Sequence, residues 1–185
     1  MLEDKLLIWK FNKGKKETIE RIYAKYKDDL MTLSTALLYD KSSAEDTVHD
    51  VFVKFIQSCG RMRINQSLKG YLITSIVNTA RNKNKAGQVR ENNSLDNAGQ
   101  ISSNLHGPDS IAMFNENSQK LATALSRLPY EQREVLLLHL YSGLKFKAIA
   151  EMQDESISTI QGRYRYGLNK LRSLLNGEVE NETDR

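Results

Sequence analysis

From Ile19 onward, apolar residues return every three or four positions, at Ile19, Ile22, Tyr23, Tyr26, Leu30, Leu33 and Leu37. That spacing places them on one helix face and predicts a long helix with one buried side. Ser42 and Ser43 are suited to cap the next helix, with Glu45 and Asp46 near its positive end. Val48, Val51, Phe52, Phe55 and Ile56 then form a second stripe, which Gly60 ends. Little periodicity follows until Tyr71, Leu72, Ile76 and Ala80 resume a helical face that runs into the basic Arg81-Asn82-Lys83-Asn84-Lys85.

From about Ala86 to Asp109 the chain is polar, with few apolar anchors. Such a stretch buries too little surface to offset its ordering entropy, so it is expected to be a flexible linker. Beyond it, Leu121, Leu125 and Leu128 predict a helix ending before Pro129, and Tyr130 to Tyr141 a second, carrying Val135, Leu136, Leu138 and Leu140 and closed by Gly143. A third is expected over Phe146 to Met152, with Phe146, Ile149 and Ala150 apolar, then a turn at Asp154-Glu155-Ser156. Ile157, Ile160, Tyr164, Leu168, Leu171 and Leu175 fall along one face of a long last helix. No strand-like alternation is sustained anywhere, so the expected fold is all-α, two small helical domains joined by a flexible linker. The boundaries read as 1–86 for the first domain, 87–112 for the linker, 113–176 for the second domain and 177–185 for an acidic tail.

Charge adds to this picture through its distribution more than its sum, which is a net +4. No acid lies between Asp50 and Glu91, a span holding Lys54, Arg61, Arg63, Lys69, Arg81, Lys83, Lys85 and Arg90. A second acid-free span, between Glu155 and Glu178, holds Arg163, Arg165, Lys170 and Arg172. Two such spans in separate segments point to a polyanionic partner, nucleic acid above all. Cys59, the single cysteine, excludes an internal disulfide, and His49, His106 and His139 lack the spacing of a metal site, so neither metal nor cofactor is expected. The apolar runs are too short to span a membrane, and residues 1–16 do not read as a secretory leader. The expected location is therefore the cytoplasm, without membrane insertion.

A short helix, a tight turn and a longer basic helix are the parts of a helix-turn-helix, whose second helix enters the major groove. At about one hundred degrees per residue, the last helix turns Ser158, Thr159, Gly162, Arg165, Tyr166 and Asn169 away from its apolar stripe. That outer face offers polar and cationic groups for base edges and a glycine for close approach.

The stretch Leu128-Pro129-Tyr130-Glu131-Gln132-Arg133-Glu134-Val135-Leu136-Leu137-Leu138, with Ala148-Ile149-Ala150, Thr159-Ile160-Gln161-Gly162-Arg163 and Lys170-Leu171-Arg172, resembles region four of extracytoplasmic-function sigma factors. Ala44-Glu45-Asp46-Thr47-Val48-His49-Asp50-Val51-Phe52 resembles the core-binding part of region two, and Gly70-Tyr71-Leu72 with Asn78 and Asn82 its promoter-reading part. The resemblance covers nearly the whole chain, in order. It implies a non-enzymatic subunit that binds core RNA polymerase and directs promoter recognition, with an anti-sigma factor as a further partner. Asp46, His49, Asp50 and Phe52 would contact polymerase. Asn65, Gln66, Ser67 and Lys69 in the loop before Tyr71, with Tyr71 itself and Asn78, Arg81, Asn82, Lys83 and Lys85 on the following helix, would bind the minus-ten element. The loop would hold a base flipped from the stack, which couples recognition to strand opening. Ser158, Thr159, Gln161, Gly162, Arg163, Arg165, Tyr166 and Asn169 would bind the minus-thirty-five element.

The sequence departs from the family pattern at Tyr71, where tryptophan is usual, at Asn82, where aspartate is usual, and at Ala148, where glutamate is common. The changes at Tyr71 and Asn82 lead to an expected difference in promoter preference. Gln161, Gly162 and Tyr166 stand where relatives often carry basic residues or serine, so this surface is less cationic and Arg165 is expected to take over part of the work. The main alternative is a dimeric helix-turn-helix regulator. It would need a dimerising surface, yet no heptad seam is present and the first domain has a basic span of its own. A nucleic-acid enzyme would need converging carboxylates or a nucleophile with its base, and the basic spans contain no acid.

Overall fold

A computed structural model describes residues 2–61, 67–93 and 116–177. The chain divides into two compact units, Met1–Ser103 and Asn104–Arg185. Every regular element among the described residues is helical, in agreement with the sequence pattern.

The first unit contains α1 (Leu2–Asn12), α2 (Lys16–Leu38), α3 (Lys41–Gln57) and α4 (Leu68–Asn93). α2 packs against α3 and α4, which also touch each other, while α1 lies on α2 and α4. The expected stripes meet in one core, in which Ile22, Leu30, Leu33, Leu37, Phe55, Leu72 and Ile76 are fully buried. Tyr23 and Ile56, placed in the stripes by spacing, are exposed instead. Tyr23 lies over the core edge, its ring at 4.8 Å and 64° to that of Phe52. The helix cap also differs from expectation. Asp40, not Ser42 or Ser43, caps α3, its carboxylate accepting from the Ser43 backbone N–H at 2.8 Å. The two serines sit inside the first turn, and Ser43 uses its carbonyl to accept from the Thr47 hydroxyl at 2.7 Å.

α1 was not anticipated, because Leu6, Leu7, Ile8, Trp9 and Phe11 do not make a single stripe. It is held by docking. Phe11 is fully buried and stacks on Phe55 at 4.3 Å. Asp4 ties α1 to α2, accepting from the Tyr26 hydroxyl at 2.8 Å and from Lys25 Nζ at 3.1 Å, while Glu3 accepts from the same ammonium at 2.8 Å.

Burial pulls the Asp4 carboxyl up, but hydrogen bonds from Tyr26 and Lys25, with the Lys25 charge, outweigh it and hold Asp4 below its ordinary value. Burial, then the bond to Asp4, pushes the Tyr26 phenol up to about 12. Since the Asp4 value is depressed by folding, its contribution to stability is complete above the unfolded carboxyl value of about 4 and is lost as pH falls through the folded one. Asp4→Asn is therefore expected to melt below the parent at neutral pH. The gap should close as the pH drops below about 4; a gap that stays constant across thermal melts over this range would mean that the ionised carboxylate contributes nothing.

The second unit contains α5 (Glu116–Ser126), α6 (Tyr130–Leu136), α7 (Phe146–Gln153) and α8 (Ile157–Asn176). α5, α6 and α7 all pack on α8. Ala124, Leu128, Leu136 and Leu171 form a buried cluster, with Leu125, Tyr164, Leu168 and Leu174 packed on it. At the α6–α8 crossing Gly167 is buried, and a Cβ there would lie 3.1 Å from Gln132 Cβ and 3.2 Å from Leu136 Cδ1. A glycine is what lets these helices approach so closely.

The helix expected over Tyr130 to Tyr141 changes character midway, running on from α6 as a π-helical turn over Leu137–Tyr141. The wider turn rotates its last residues away from the core, and Leu140, expected on the apolar face, is 58% exposed. His139 is held between elements, its ring stacked on Phe146 at 4.2 Å, edge-on to Tyr164 at 5.1 Å, with Nδ1 donating to the Leu144 carbonyl at 2.8 Å. Ile157 and Leu175, the ends of the α8 stripe, are exposed. The cause is length: α8 has 20 residues, against 11, 7 and 8 in α5, α6 and α7.

Candidate nucleic-acid and polymerase interfaces

In the second unit α7 and α8 are joined by a turn in which Asp154 takes the left-handed conformation, φ 53°, one that a short polar side chain tolerates. Ser156 then caps α8, its Oγ accepting from the Thr159 backbone N–H at 3.0 Å. The Ser158 and Thr159 hydroxyls lie 2.7 and 2.8 Å from the same oxygen, so both belong to the cap as well as to the outer surface.

Arg163 braces the turn. Its guanidinium donates to Gln153 Oε1 and to Glu155 Oε1, each at 2.8 Å. Charge-assisted bonds of this kind fix the angle between the two helices and leave that guanidinium committed within the fold. Arg163, expected among the residues that bind the minus-thirty-five element, thus also has a positioning role in the turn.

The outer face of α8 carries two adjacent rows, Ser158-Gly162-Tyr166 and Gln161-Arg165-Asn169, at the four-residue spacing of a helix face. Nothing lies within 4 Å of a Cβ built on Gly162, so the surface there is open. Tyr166 is 62% exposed, and the Arg165 guanidinium lies 5.3 Å from its ring centroid. The pair presents an aromatic face and a cation to solvent, a combination suited to base edges and phosphates.

In the first unit Ser67 caps α4, its Oγ accepting from the Gly70 N–H at 3.0 Å. Lys69 reaches back to Asp29 on α2 at 2.8 Å, and Lys83 donates to the Ser43 carbonyl at 3.3 Å. Tyr71 is half-buried, 6.2 Å from the Phe55 ring. Asn78, Asn82 and Lys85 are exposed along one side of α4, and Arg81 is half-buried. Asn65 and Gln66 lie outside the described residues.

On α3, Asp46, His49 and Asp50 are exposed together. Neither carboxylate has an ion-pair partner among the described residues. Phe52 does not belong with them: it is 4% exposed and packs edge-on against Phe55 in the core. A ring so placed can support the helix but cannot touch a partner, which corrects its expected contact role. Val53, missed in the sequence, is the exposed apolar residue next to this acidic face. Its signal was its position off the core stripe.

Residues 22–88 match the family description sigma-70 region 2, and residues 118–171 match sigma-70, region 4. The chain belongs to the sigma-70 family, among its extracytoplasmic-function sigma factors. This sigma factor is 21% identical over 169 residues to the RNA polymerase sigma-H factor of Pseudomonas aeruginosa, covering 87% of this chain and 88% of that one. It is 26% identical over 179 residues to the sigma factor CarQ of Myxococcus xanthus, covering 95% and 99%. Its fold resembles that of the sigma factor RpoE in complex with the anti-sigma factor NepR from Bartonella quintana, with a TM-score of 0.66 and 23% identity over 90% of this chain and 98% of that one. CnrH in complex with the cytosolic domain of CnrY is similar at a TM-score of 0.64 and 16% identity, covering 95% and 98%.

The function of this sigma factor is to direct transcription initiation. Two matched regions in the family order also displace the alternative of a dimeric regulator. Sigma factors are in general non-catalytic regulators of transcription. No described helix is long and apolar enough to cross a membrane.

Proposed function

We propose that this sigma factor assembles with core RNA polymerase in the cytoplasm and divides its work among three surfaces. The acidic side of α3, at Asp46, His49 and Asp50, grips the polymerase. Segment 65–71 and the exposed side of α4, at Asn78, Asn82 and Lys85 with Arg81 and Lys83, bind the minus-ten element and keep its strands apart. The outer face of α8 reads the minus-thirty-five element through Gln161, Gly162, Arg165, Tyr166 and Asn169, with Ser158 and Thr159 near the cap. Residues 1–86 and 113–176 act as separate domains on the linker 87–112, and 177–185 is an acidic tail. An anti-sigma factor, as in the complexes of RpoE with NepR and of CnrH with CnrY, is the proposed regulator. The chain carries no catalytic chemistry of its own.

The observation that carries this reading is the open polar and cationic face of α8, set on a capped and braced turn, in a chain whose other unit has its own exposed polar face on α4. Each surface is small, so neither alone accounts for tight promoter binding. Polymerase supplies the missing affinity by fixing both domains on one DNA and raising the effective concentration of the second at its element. The isolated chain is accordingly expected to bind promoter fragments weakly at physiological salt, and to direct transcription from mapped start sites once core enzyme is added. Tight, sequence-specific binding by the chain alone, or no transcription with core enzyme, overturns the reading.

A further inference from the structure

α1 has two unlike sides. Leu7 and Phe11 are buried, whereas Lys5, Trp9 and Lys13, spaced four residues apart, run along the opposite side with Leu6 beside them. Trp9 is 53% exposed and Leu6 is 51% exposed. The Lys13 ammonium lies 3.9 Å from the Trp9 ring centroid. From Lys5 to Lys16 the chain carries Lys5, Lys10, Lys13, Lys15 and Lys16 and no acid. The end of α1 is fastened to the segment that leaves α3: the Cys59 thiol donates to the Phe11 carbonyl at 2.9 Å, and a Cβ at Gly60 would lie 3.9 Å from the Asn12 carbonyl oxygen. The end of α1 near Lys13 thus lies beside the segment that leaves α3.

We propose that the Lys5–Trp9–Lys13 stripe of α1 is a binding site for single-stranded nucleic acid, with the indole stacking on a base and the lysines holding flanking phosphates. The inference rests on the proposed reading of α4, since a strand separated there would supply unpaired bases. Sites for single strands combine a cationic track with an aromatic platform, because every base offers a π-face and every nucleotide a phosphate. From Lys5 to Asn12, where α1 ends, the helix rises about 10 Å at about 1.5 Å per residue, and Lys13 follows in the turn. That length accommodates about three nucleotides at about 3.4 Å each. A protein partner fits less well, because lysines are depleted from the buried centres of protein interfaces. A membrane fits less well too, since among the described side chains this side offers Leu6 and Trp9 where an interfacial helix needs a broad apolar face.

Trp9 is the only tryptophan, so its emission reports on the site directly. Titrating the full chain with oligothymidylate at low salt is expected to quench that emission saturably. In anisotropy with the labelled oligonucleotide, Trp9→Ala should weaken binding about fivefold or more, while Trp9→Phe keeps most of the affinity. Lys5→Ala with Lys13→Ala should lower the salt slope by about 0.7 for each phosphate no longer neutralised. No saturable binding, or binding that leaves Trp9 emission unmoved, overturns the proposal. In the holoenzyme, Trp9→Ala should weaken binding to a forked promoter template and leave affinity for core polymerase unchanged; a loss of core affinity alone makes the stripe a polymerase contact and also overturns it. Failure of the parent chain to assemble with core enzyme counts against the proposed interfaces, and the oligonucleotide titration remains readable in that case.

Discussion

Replacing Asp46 and Asp50 together by lysine is expected to weaken assembly with core RNA polymerase by about 3 kcal/mol, roughly a hundredfold in affinity. The two carboxylates are exposed on one side of α3, one helical turn apart, so both face the same partner surface. Each substitution removes an attraction and adds a like-charge repulsion, and a partner chosen for negative charge meets two positive ones. The fold should tolerate the change. Neither residue has an ion-pair partner among the described residues, and both lie beyond the first turn of α3, where the helix dipole weighs little against a lysine. The neutral pair Asp46→Asn with Asp50→Asn, which loses the attraction without the repulsion, should fall between the parent and the lysine variant. Competition against labelled parent protein for a limiting amount of core enzyme measures the effect, and thermal melts of the free chain check the fold. Unchanged core affinity moves the contact off this side of α3.

Phe52 shows why the sequence divides into legible and illegible parts. Its place in the stripe Val48, Val51, Phe52, Phe55 and Ile56 already marked it as core, and helical periodicity carried more weight than the resemblance that put it among contact residues. The helices over α2, α3, α5, α7 and α8 were legible for the same reason: each has one apolar face, and the period alone identifies it. Three features depend on packing between distant residues and left no local mark. α1 owes its place to Phe11 on Phe55 and to the Asp4 contacts with α2. The π-helical turn accompanies the packing of His139, stacked on Phe146 and edge-on to Tyr164, which brings together three elements. Gly167 looked like any glycine within a helix until α6 was found against it. At the candidate surfaces, exposure of Asp46, Asp50, Arg165 and Tyr166 followed from helical projection. The commitment of Arg163 to Gln153 and Glu155 did not, because it needs the geometry of the turn.

Reading and holding on DNA should separate in mutants of the two units. Arg165→Ala or Tyr166→Ala, tested in the holoenzyme, is expected to weaken binding to the upstream element by about 1 to 3 kcal/mol and to relax preference at one or two base pairs. The pair stands at the open centre of the α8 face, beside Gly162, where a base edge can approach without obstruction. Gln161 and Asn169 flank Arg165 on the same row and should retain part of the recognition, so binding falls without vanishing. Lys83→Ala with Lys85→Ala should behave otherwise. Lys85 is exposed, while Lys83 spends one donor on the Ser43 carbonyl at 3.3 Å and keeps others for phosphate. Their loss is expected to reduce binding to all promoters alike and to lower the salt dependence, by about one unit of slope per phosphate contact. Holoenzyme binding to a promoter library at two salt concentrations distinguishes the two classes. If the Arg165 and Tyr166 variants lose affinity evenly across sequences, the outer face of α8 holds DNA without reading it.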